Sequence, residues 1–527
     1  MSVNKTYSMP ILPSDTSERE LENIIVNYLR DFNGYEQGIS DDYESEWGFD
    51  RRRLEAFLTA TQRQKVEQSG IFSTPQKRKA FFERVRSEIS KRGVIDVLRN
   101  GVKHGIGFTF TLYYPLPDAS NPTAQRQYAL NRFVVIRQLH FSDNRPDDSL
   151  DVALFINGLP VVTMELKNHL TRQDAECAIK QYTERDAREL IFAPKRVAVH
   201  FALDDEVVMM CTELRGDKSW FLPFNKGLKD PTDHLGRADG AGNPVNPNGL
   251  KTDYLWHDIL TKHRLSTIIE QYARVIKSKN ARTGRTEEKC IWPRYHQLDV
   301  VTRLENEARQ HNDTGYRYLI QHSAGSGKSN SITWLSLRLA EIKKEDNTGF
   351  FNSVIVVTDR VNLDGQIRAN INAFVDPKMK SIVGAATSSG ELKEALEAGK
   401  KIIVTTVHKF PYIMKTVGTD LRDKHFAIII DEAHSSQSGS MATALNRVMA
   451  GVGGLPIEDR IEDDEDILNE LLRQVIEGKR MAQNANFYAF TATPKNKTLE
   501  TFGEAFIEDG EKKFKPYHNY SMKQAIE

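Results

Sequence analysis

Two rhythms of apolar and polar positions divide the chain. From Gly107 to Leu166 the apolar residues come in short β-branched and aromatic runs, FTFTLYY, RFVVIRQLHF, LDVALFI and PVVTMEL, separated by turn chemistry. Such runs predict the strands of a mostly antiparallel sheet. A helix is expected over Thr171–Leu190, and RVAVHFAL adds a fifth core strand. Further on, YLI, SVIVVTDR, KIIVTTVHKF, FAIIIDEAH and FYAFTATP alternate with helical segments. That order predicts a parallel, doubly wound sheet with ligands at the carboxyl ends of its strands.

Helical periodicity frames both sheets. SERELENIIVNYLRDF places Leu21, Ile24, Ile25, Tyr28 and Leu29 on one face, with Glu18, Glu20 and Glu22 nearby. A solvated acidic first turn favoured by the helix dipole is the ordinary reading. Glu22 facing a metal is the other. Lys77–Arg92 is a basic amphipathic helix, read as a solvated face with DNA contact as the alternative. Pro223–Gly249 is rich in Gly, Pro, Asn and Asp, and marks a junction from which a helical run, Tyr254–Lys277, bridges onward.

Composition narrows the class. Lys+Arg and Asp+Glu are equal at 72 each in 527 residues, so any basic groove for nucleic acid must be local. The cysteines, Cys177, Cys211 and Cys290, are too scattered for a disulfide framework or a zinc cluster, which suits a reducing cytoplasm. The polar leader contains Pro10 and Pro13, and no apolar run approaches the roughly 18 residues of a membrane span. No targeting signal is expected, and the sequence shows no fixed-period repeat or low-complexity tract. The acidic run Ile457–Asp466 reads as a solvated helix or loop.

The first rhythm carries an acid pair. Asn157 and Gly158 join the last two runs as a hairpin signal. Asp151 lies on its first strand; Glu165 and Lys167 lie on its second and share a face, because side chains alternate with period two. A plain two-residue loop sets Asp151 opposite Met164, with the two carboxylates on opposite faces. Three loop residues, or one bulge, pair Asp151 with Glu165 instead. That register is expected, because bulges re-aim side chains beside active sites. Two carboxylates and an ammonium on one face suit phosphodiester hydrolysis: Asp151 and Glu165 as oxygen ligands for Mg²⁺, Lys167 to orient or deprotonate the attacking water. The competing reading is an exposed charged strand edge. The apolar company in VVTMELKN speaks against it. Gln181 or Tyr182 on the next helix can reach back to the same site.

The second rhythm carries HSAGSGKSNS, His322–Ser331. Gly325, Ser326 and Gly327 let the backbone approach a polyphosphate, Lys328 supplies a point charge for its β- and γ-phosphates, and Ser329 offers Mg²⁺ a hydroxyl. His322 stands where the strict motif has Gly, so the match is to the GxGK[ST] core, with a surface turn as the competing reading. In FAIIIDEAH, Asp431 can bind Mg²⁺ through water, Glu432 can polarise the water attacking the γ-phosphate, and His434 can couple nucleotide state to the neighbouring strand. Gln297 in WPRYHQ can read the adenine edge. Thr491 and Thr493 in TATP would link the site to nucleic acid. Thr405, Thr406, His408, Asp359 and Arg360 sit at strand ends where a single strand can run, or serve as caps and turns.

The order GSGKS, TDR, TTVHKF, DEAH and TATP resembles the first RecA-like lobe of superfamily 2 helicases and translocases. Together with the upstream hairpin ending in ELKN, and with NRFVVIRQLHF, FLPFNKG, GAGNP, YLW, RYHQ and DEAHSSQSG, the chain resembles the R (restriction, motor) subunit of type I restriction-modification enzymes. The resemblance implies an α/β protein: an N-terminal PD-(D/E)xK nuclease-like mixed α/β domain over 1–222, a linker and bridging helix over 223–285, and a RecA-like parallel α/β lobe over 286–527. It implies ATP and Mg²⁺ as cofactors, translocation of double-stranded DNA, cleavage of unmodified DNA, and methyltransferase and specificity subunits as partners. The nuclease motif maps onto Asp151, Glu165 and Lys167. The family's QxxxY, anchored on Tyr182, meets Ala178 where Gln is expected, so that role is lost or passes to Gln181. Ser435 follows DEAH where Arg is common.

Family members are longer and carry a second RecA lobe with an arginine finger. The chain therefore reads as an N-terminal portion lacking that lobe, expected to bind Mg·ATP weakly and hydrolyse it poorly. A type III restriction subunit or a repair helicase-nuclease shares the lobe but not this motif order. A non-catalytic DNA-binding or nucleotide-switch module, with structural hairpin acids, is the alternative of another class.

Overall fold

The computed structural model describes residues 18–117, 121–168, 173–228, 240–279, 284, 286–311, 313–344, 346–358, 361–374, 383–386, 388–406, 421, 423–432 and 483–526. The chain forms two compact units, residues 1–226 with 242–294, and 227–241 with 295–527.

The first unit is built on a mixed sheet whose seven strands follow one another in chain order: β1 (Glu36–Gln37), β2 (Phe133–His140), β3 (Ser149–Ile156), β4 (Leu159–Leu166), β5 (Val199–Leu203), β6 (Val208–Cys211) and β7 (Leu222–Pro223). The β1–β2 and β4–β5 pairs are parallel and the rest antiparallel. Strands β3 and β4 are buried almost throughout, so their alternation is apolar on both faces. Helices α1 (Glu18–Asp31) and α3 (Ala175–Glu184) pack against them, and α2 (Pro75–Arg92) packs beside the short strand Val102–Lys103 of the same unit. Phe81, Phe82, Val85 and Ile89 turn the apolar side of the basic helix α2 inward.

The β3–β4 hairpin has the bulged register. Asn157 (φ 51°) and Gly158 (φ 89°) form a two-residue turn with both residues left-handed. Asn157 is pinned by bonds from its amide to Leu112 O (2.9 Å) and Asn131 Oδ1 (3.0 Å). A Cβ on Gly158 would collide with the Asp50 carbonyl, so this position requires glycine. Ile156 pairs with Leu159 and Phe155 with Pro160, but Leu154 pairs with Val162 and Val152 with Met164. Val161 is the extra residue, and one further step sets Asp151 opposite Glu165.

Three expectations change. FTFTLYY is not a strand of the main sheet. Only Thr109–Phe110 pairs, with Val102–Lys103, because side-chain amides satisfy the backbone beyond: Gln62 bonds both N and O of Thr111, and Asn131 both N and O of Tyr114. The Thr171–Leu190 helix is only α3, opened by the Asp174 side chain on Cys177 N and ended where Arg185 turns extended. The Tyr254–Lys277 run is helical in two pieces, Leu255–Ile259 and 262–272, broken where Thr261 turns extended, and then becomes a strand, Arg274–Lys279, paired with Thr286–Ile291.

The second unit holds an all-parallel seven-stranded sheet in the order β10-β11-β9-β12-β13-β8-β14. In chain order these strands are β8 (Arg317–His322), β9 (Ser353–Thr358), β10 (Val383–Ala386), β11 (Ile402–Thr406), β12 (Phe426–Ile430), β13 (Ala485–Thr491) and β14 (His518–Tyr520). Helices α4 (Tyr295–Gln310) and α5 (Lys328–Glu341) flank it. Its apolar core includes Leu319, Ile355, Ile403, Ile428 and Phe487 from five adjacent strands. A parallel sheet of near-continuous apolar strands is the architecture expected of a RecA-like ATPase lobe. No helix among the described residues is long and apolar enough to cross a membrane.

Candidate active sites

In the first unit, α1 and the three strands β2, β3 and β4 bring three acids together. Glu165 on β4 is fully buried. Its Oε1 accepts from Arg185 Nη2 (2.7 Å) and Nε (3.2 Å), while its buried Oε2 has no hydrogen-bond partner. Asp151 Oδ2 accepts from Leu166 N (2.7 Å) and Oδ1 from Gln138 Nε2 (3.1 Å). The same Nε2 donates to Glu22 Oε1 (2.7 Å), and Ser149 Oγ holds Gln138 Oε1 (2.7 Å). Glu22 is 4% exposed, not solvated, and its Oε2 accepts from Arg137 Nε (3.3 Å). Gln138 takes φ 46° on β2, a left-handed conformation that costs a residue with Cβ about 1 kcal/mol or more.

The electrostatics follow from crowding. Burial, then the Asp151 charge, pushes the Glu165 carboxyl up to about 8, against the opposing pull of Arg185 and Lys167. Burial and Asp151 likewise raise Glu22, opposed by Gln138 and Arg137. Like charges held this close in a dry site favour a proton or a cation among them. Lys167 is largely buried directly after β4, its N–H bonded to Leu203 O (2.9 Å). Among the described residues no group of three or more His, Cys, Asp or Glu stands in a ligand array. Two carboxylates and one orphaned carboxylate oxygen nevertheless fit a hard cation that keeps several waters, as Mg²⁺ does.

Tyr182 on α3 reaches the acid pair only indirectly. Its hydroxyl bonds the Oγ1 of Thr163 (2.8 Å), two residues before Glu165 on the same face, and that Oγ1 also meets His200 Nδ1 (2.7 Å). Burial drives the His200 pKa down to about 3, so its ring is neutral. Gln181 is half-buried and its side chain has no hydrogen-bond partner among the described residues. Arg185, Gln138 and Arg137 escaped the sequence reading. Arg185 lies three residues past Tyr182, where a register search for QxxxY does not look.

In the second unit, the loop after β8 turns at Gly325 (φ 78°) and Gly327 (φ 82°), and α5 begins at Lys328 with no side-chain cap. Uncapped N–H groups and the helix dipole favour an anion there. Lys328 Nζ lies 2.8 Å from Glu432 Oε1 and 3.4 Å from His322 O. Glu432 adopts φ 54° just past β12, beside the buried Asp431. Ser329, on the first turn of α5, is half-exposed, and its carbonyl accepts from Thr333 Oγ1 (2.7 Å). Gln297 donates to Ser326 O (3.2 Å) and Gly327 O (3.1 Å) and occupies the space a Cβ on Gly327 would need. Its amide nitrogen therefore ties α4 to the loop.

A chain of rings backs this loop. His322 Nε2 meets His518 Nδ1 (2.9 Å), and His518 Nε2 meets Asp299 Oδ2 (3.2 Å). His296 bonds Ser326 O (2.9 Å) and stacks on Tyr520 at 3.7 Å. Burial opposes ionisation of Asp299, but His518 and Arg303 outweigh it and hold its carboxyl at about 2. The histidine in the place of the motif glycine is thus a packing group against β14. Thr405 Oγ1 bonds Ala386 O (3.0 Å), inside the sheet. Thr491 is buried at the end of β13, and Thr493 is exposed beyond it. His434, Ser435, His408, Asp359, Arg360 and the acidic run 457–466 lie outside the described residues.

Residues 15–219 match the family model for the type I restriction enzyme R protein N terminus, and residues 296–527 match that for the SWI2/SNF2 ATPase. The chain is a homologue of the type I restriction enzyme R subunits. The MjaVIIIP endonuclease subunit assigned to this class in Methanocaldococcus jannaschii is 27% identical over 360 residues, 63% of this chain and 32% of the relative. The HindI type I endonuclease subunit of Haemophilus influenzae is 26% identical over 321 residues, 59% of this chain and 28% of the relative. The chain thus spans about a third of the length of the curated R-subunit relatives it matches. The R-protein match contains the acid pair, and the ATPase match contains the phosphate loop and Asp431–Glu432.

Proposed function

We propose that this R-subunit homologue couples ATP-driven translocation of double-stranded DNA to Mg²⁺-dependent cleavage of unmodified DNA, in a cytoplasmic complex with methyltransferase and specificity subunits. The observation that carries the nuclease half is Glu165: fully buried, one oxygen fixed by Arg185, the other without a partner, beside a second carboxylate. Asp151 and Glu165 are the carboxylates that would hold Mg²⁺, which when bound supplies Lewis-acid stabilisation of charge on the scissile phosphate. Lys167 orients the attacking water and offsets phosphate charge. Glu22, through Gln138, fixes the position of Asp151.

In the ATPase half, the loop amides of Gly325, Ser326 and Gly327 cradle the β- and γ-phosphates. Lys328 leaves its pairing with Glu432 to meet them, which releases Glu432 to polarise the attacking water. Ser329 and Asp431 are the groups suited to the Mg²⁺ that accompanies ATP. Thr491 and Thr493 lie on the path that would pass nucleotide state to DNA.

Lys167→Ala, made in the enzyme complex, is expected to remove DNA cleavage while DNA-stimulated ATP turnover persists. Cleavage at the wild-type rate would overturn the nuclease assignment. Loss of both activities would mark a folding defect, which Lys167→Arg and thermal unfolding would separate from chemistry.

A further inference from the structure

We propose that Arg185 is the positioning residue of the acid pair: it clamps one oxygen of Glu165 so that the other is presented to the divalent cation. This rests on the cation reading of Asp151 and Glu165 given above. Arg185 is the residue at which α3 ends, its N–H bonded to Tyr182 O (3.3 Å). Its side chain is 10% exposed and is held from several sides. The guanidinium lies over the Phe141 ring (5.1 Å), Nη2 donates to Ser149 O (2.6 Å), Nη1 lies 3.7 Å from Asp148 Oδ1, and Nε and Nη2 both reach Glu165 Oε1.

The carbonyl and the ring aim the fork, and the fork then aims the carboxylate. A carboxylate free to rotate would exchange its two oxygens, but two donors on Oε1 fix which oxygen stays unpartnered. A buried carboxylate left with neither a cation nor donors would be costly, so the positive charge also keeps the site tolerable before the metal arrives. A lysine would supply the charge as a single point but not the planar fork. Arg185 thereby supplies from the helix end the support for which the Gln of QxxxY is missing at Ala178.

The test is Mn²⁺ binding to the 527-residue chain, read by electron paramagnetic resonance, for wild type and for Arg185→Gln, Arg185→Lys and Glu165→Gln, with thermal unfolding in EDTA alongside. Arg185→Gln is expected to weaken Mn²⁺ by about tenfold or more, as loss of a group supporting a ligand does. Arg185→Lys is expected to fall between Gln and wild type. Wild-type affinity in Arg185→Gln, while Glu165→Gln abolishes binding, would overturn the clamp and leave the cation site standing. No binding by wild type, or none lost in Glu165→Gln, would overturn the cation reading itself. If Arg185→Gln does not fold, Arg185→Lys decides alone: affinity weakened by about threefold or more supports the fork, and equality with wild type overturns it.

Discussion

The two sites of this chain solve opposite electrostatic problems. The first gathers Glu22, Asp151 and Glu165 out of water, with Arg137, Arg185 and Lys167 around them, and burial, then the Asp151 charge, pushes the Glu165 carboxyl up to about 8. Its orphaned carboxylate oxygen suits a cation. The second sets uncapped helix N–H groups and Lys328 on a glycine loop, with Lys328 already paired to Glu432. That site gains an anion by exchanging one partner for another. A binding site can thus be recognised by the sign of the charge it lacks, and the two should respond oppositely to pH and to substitution.

The largest expected effect lies in the acid pair. Because the folded-state pKa of Glu165 is raised from 4.5 to about 8, the native state holds a proton there that the unfolded chain has released. Stability of the metal-free protein should therefore fall as pH rises from about 4.5 to 8, by as much as ~5 kcal/mol from this group. Glu165→Gln should flatten that fall in EDTA, as read by denaturant unfolding at several pH values. Parallel pH curves for the two proteins would break the comparison at its first term. Next comes Lys328→Ala, expected to weaken binding of a fluorescent ATP analogue by about a hundredfold, the scale of losing charge-assisted hydrogen bonds. Mn²⁺ affinity at the acid pair should stay unchanged in that variant, since the two sites occupy separate units.

Asp299 gives the mirror-image pH behaviour. Its carboxyl is lowered from 3.8 to about 2, so its contribution is present above pH ~4 and is lost as pH falls through about 2. Asp299→Asn should cost ~2 kcal/mol at neutral pH, with the difference from wild type closing in acid. The smallest effect is Gln138→Ala, about 1 kcal/mol, the scale of losing the hydrogen bonds that bridge Glu22 and Asp151 while the Cβ and its strain remain. Gln138→Gly, which suits φ 46°, should separate lost hydrogen bonds from relieved backbone strain.

The same contrast explains what could be read from the chain. The phosphate loop and the Asp431–Glu432 strand end are local words, and each apolar run of the second sheet forms its strand. The ring chain from Asp299 to His322 was not legible, because β14 joins β8 across 196 residues of sequence. The acid pair was partly legible: period-two alternation gave Glu165 and Lys167 a common face, and the bulge at Val161 set Asp151 opposite Glu165. Its supports were not. Gln138 acts from a left-handed bend in a strand, Arg185 from a helix end, and Glu22 from a turn that dipole arguments alone would leave in solvent. FTFTLYY failed for a related reason, since Gln62 and Asn131 imitate the strand that its alternation predicts.

The most direct measurement is anomalous diffraction from crystals of this chain soaked in Mn²⁺. The account predicts a peak bound by an Asp151 oxygen and by Glu165 Oε2, with Arg185 still on Oε1. A peak elsewhere, or Glu165 held by Arg185 through both oxygens with no metal beside it, would contradict it.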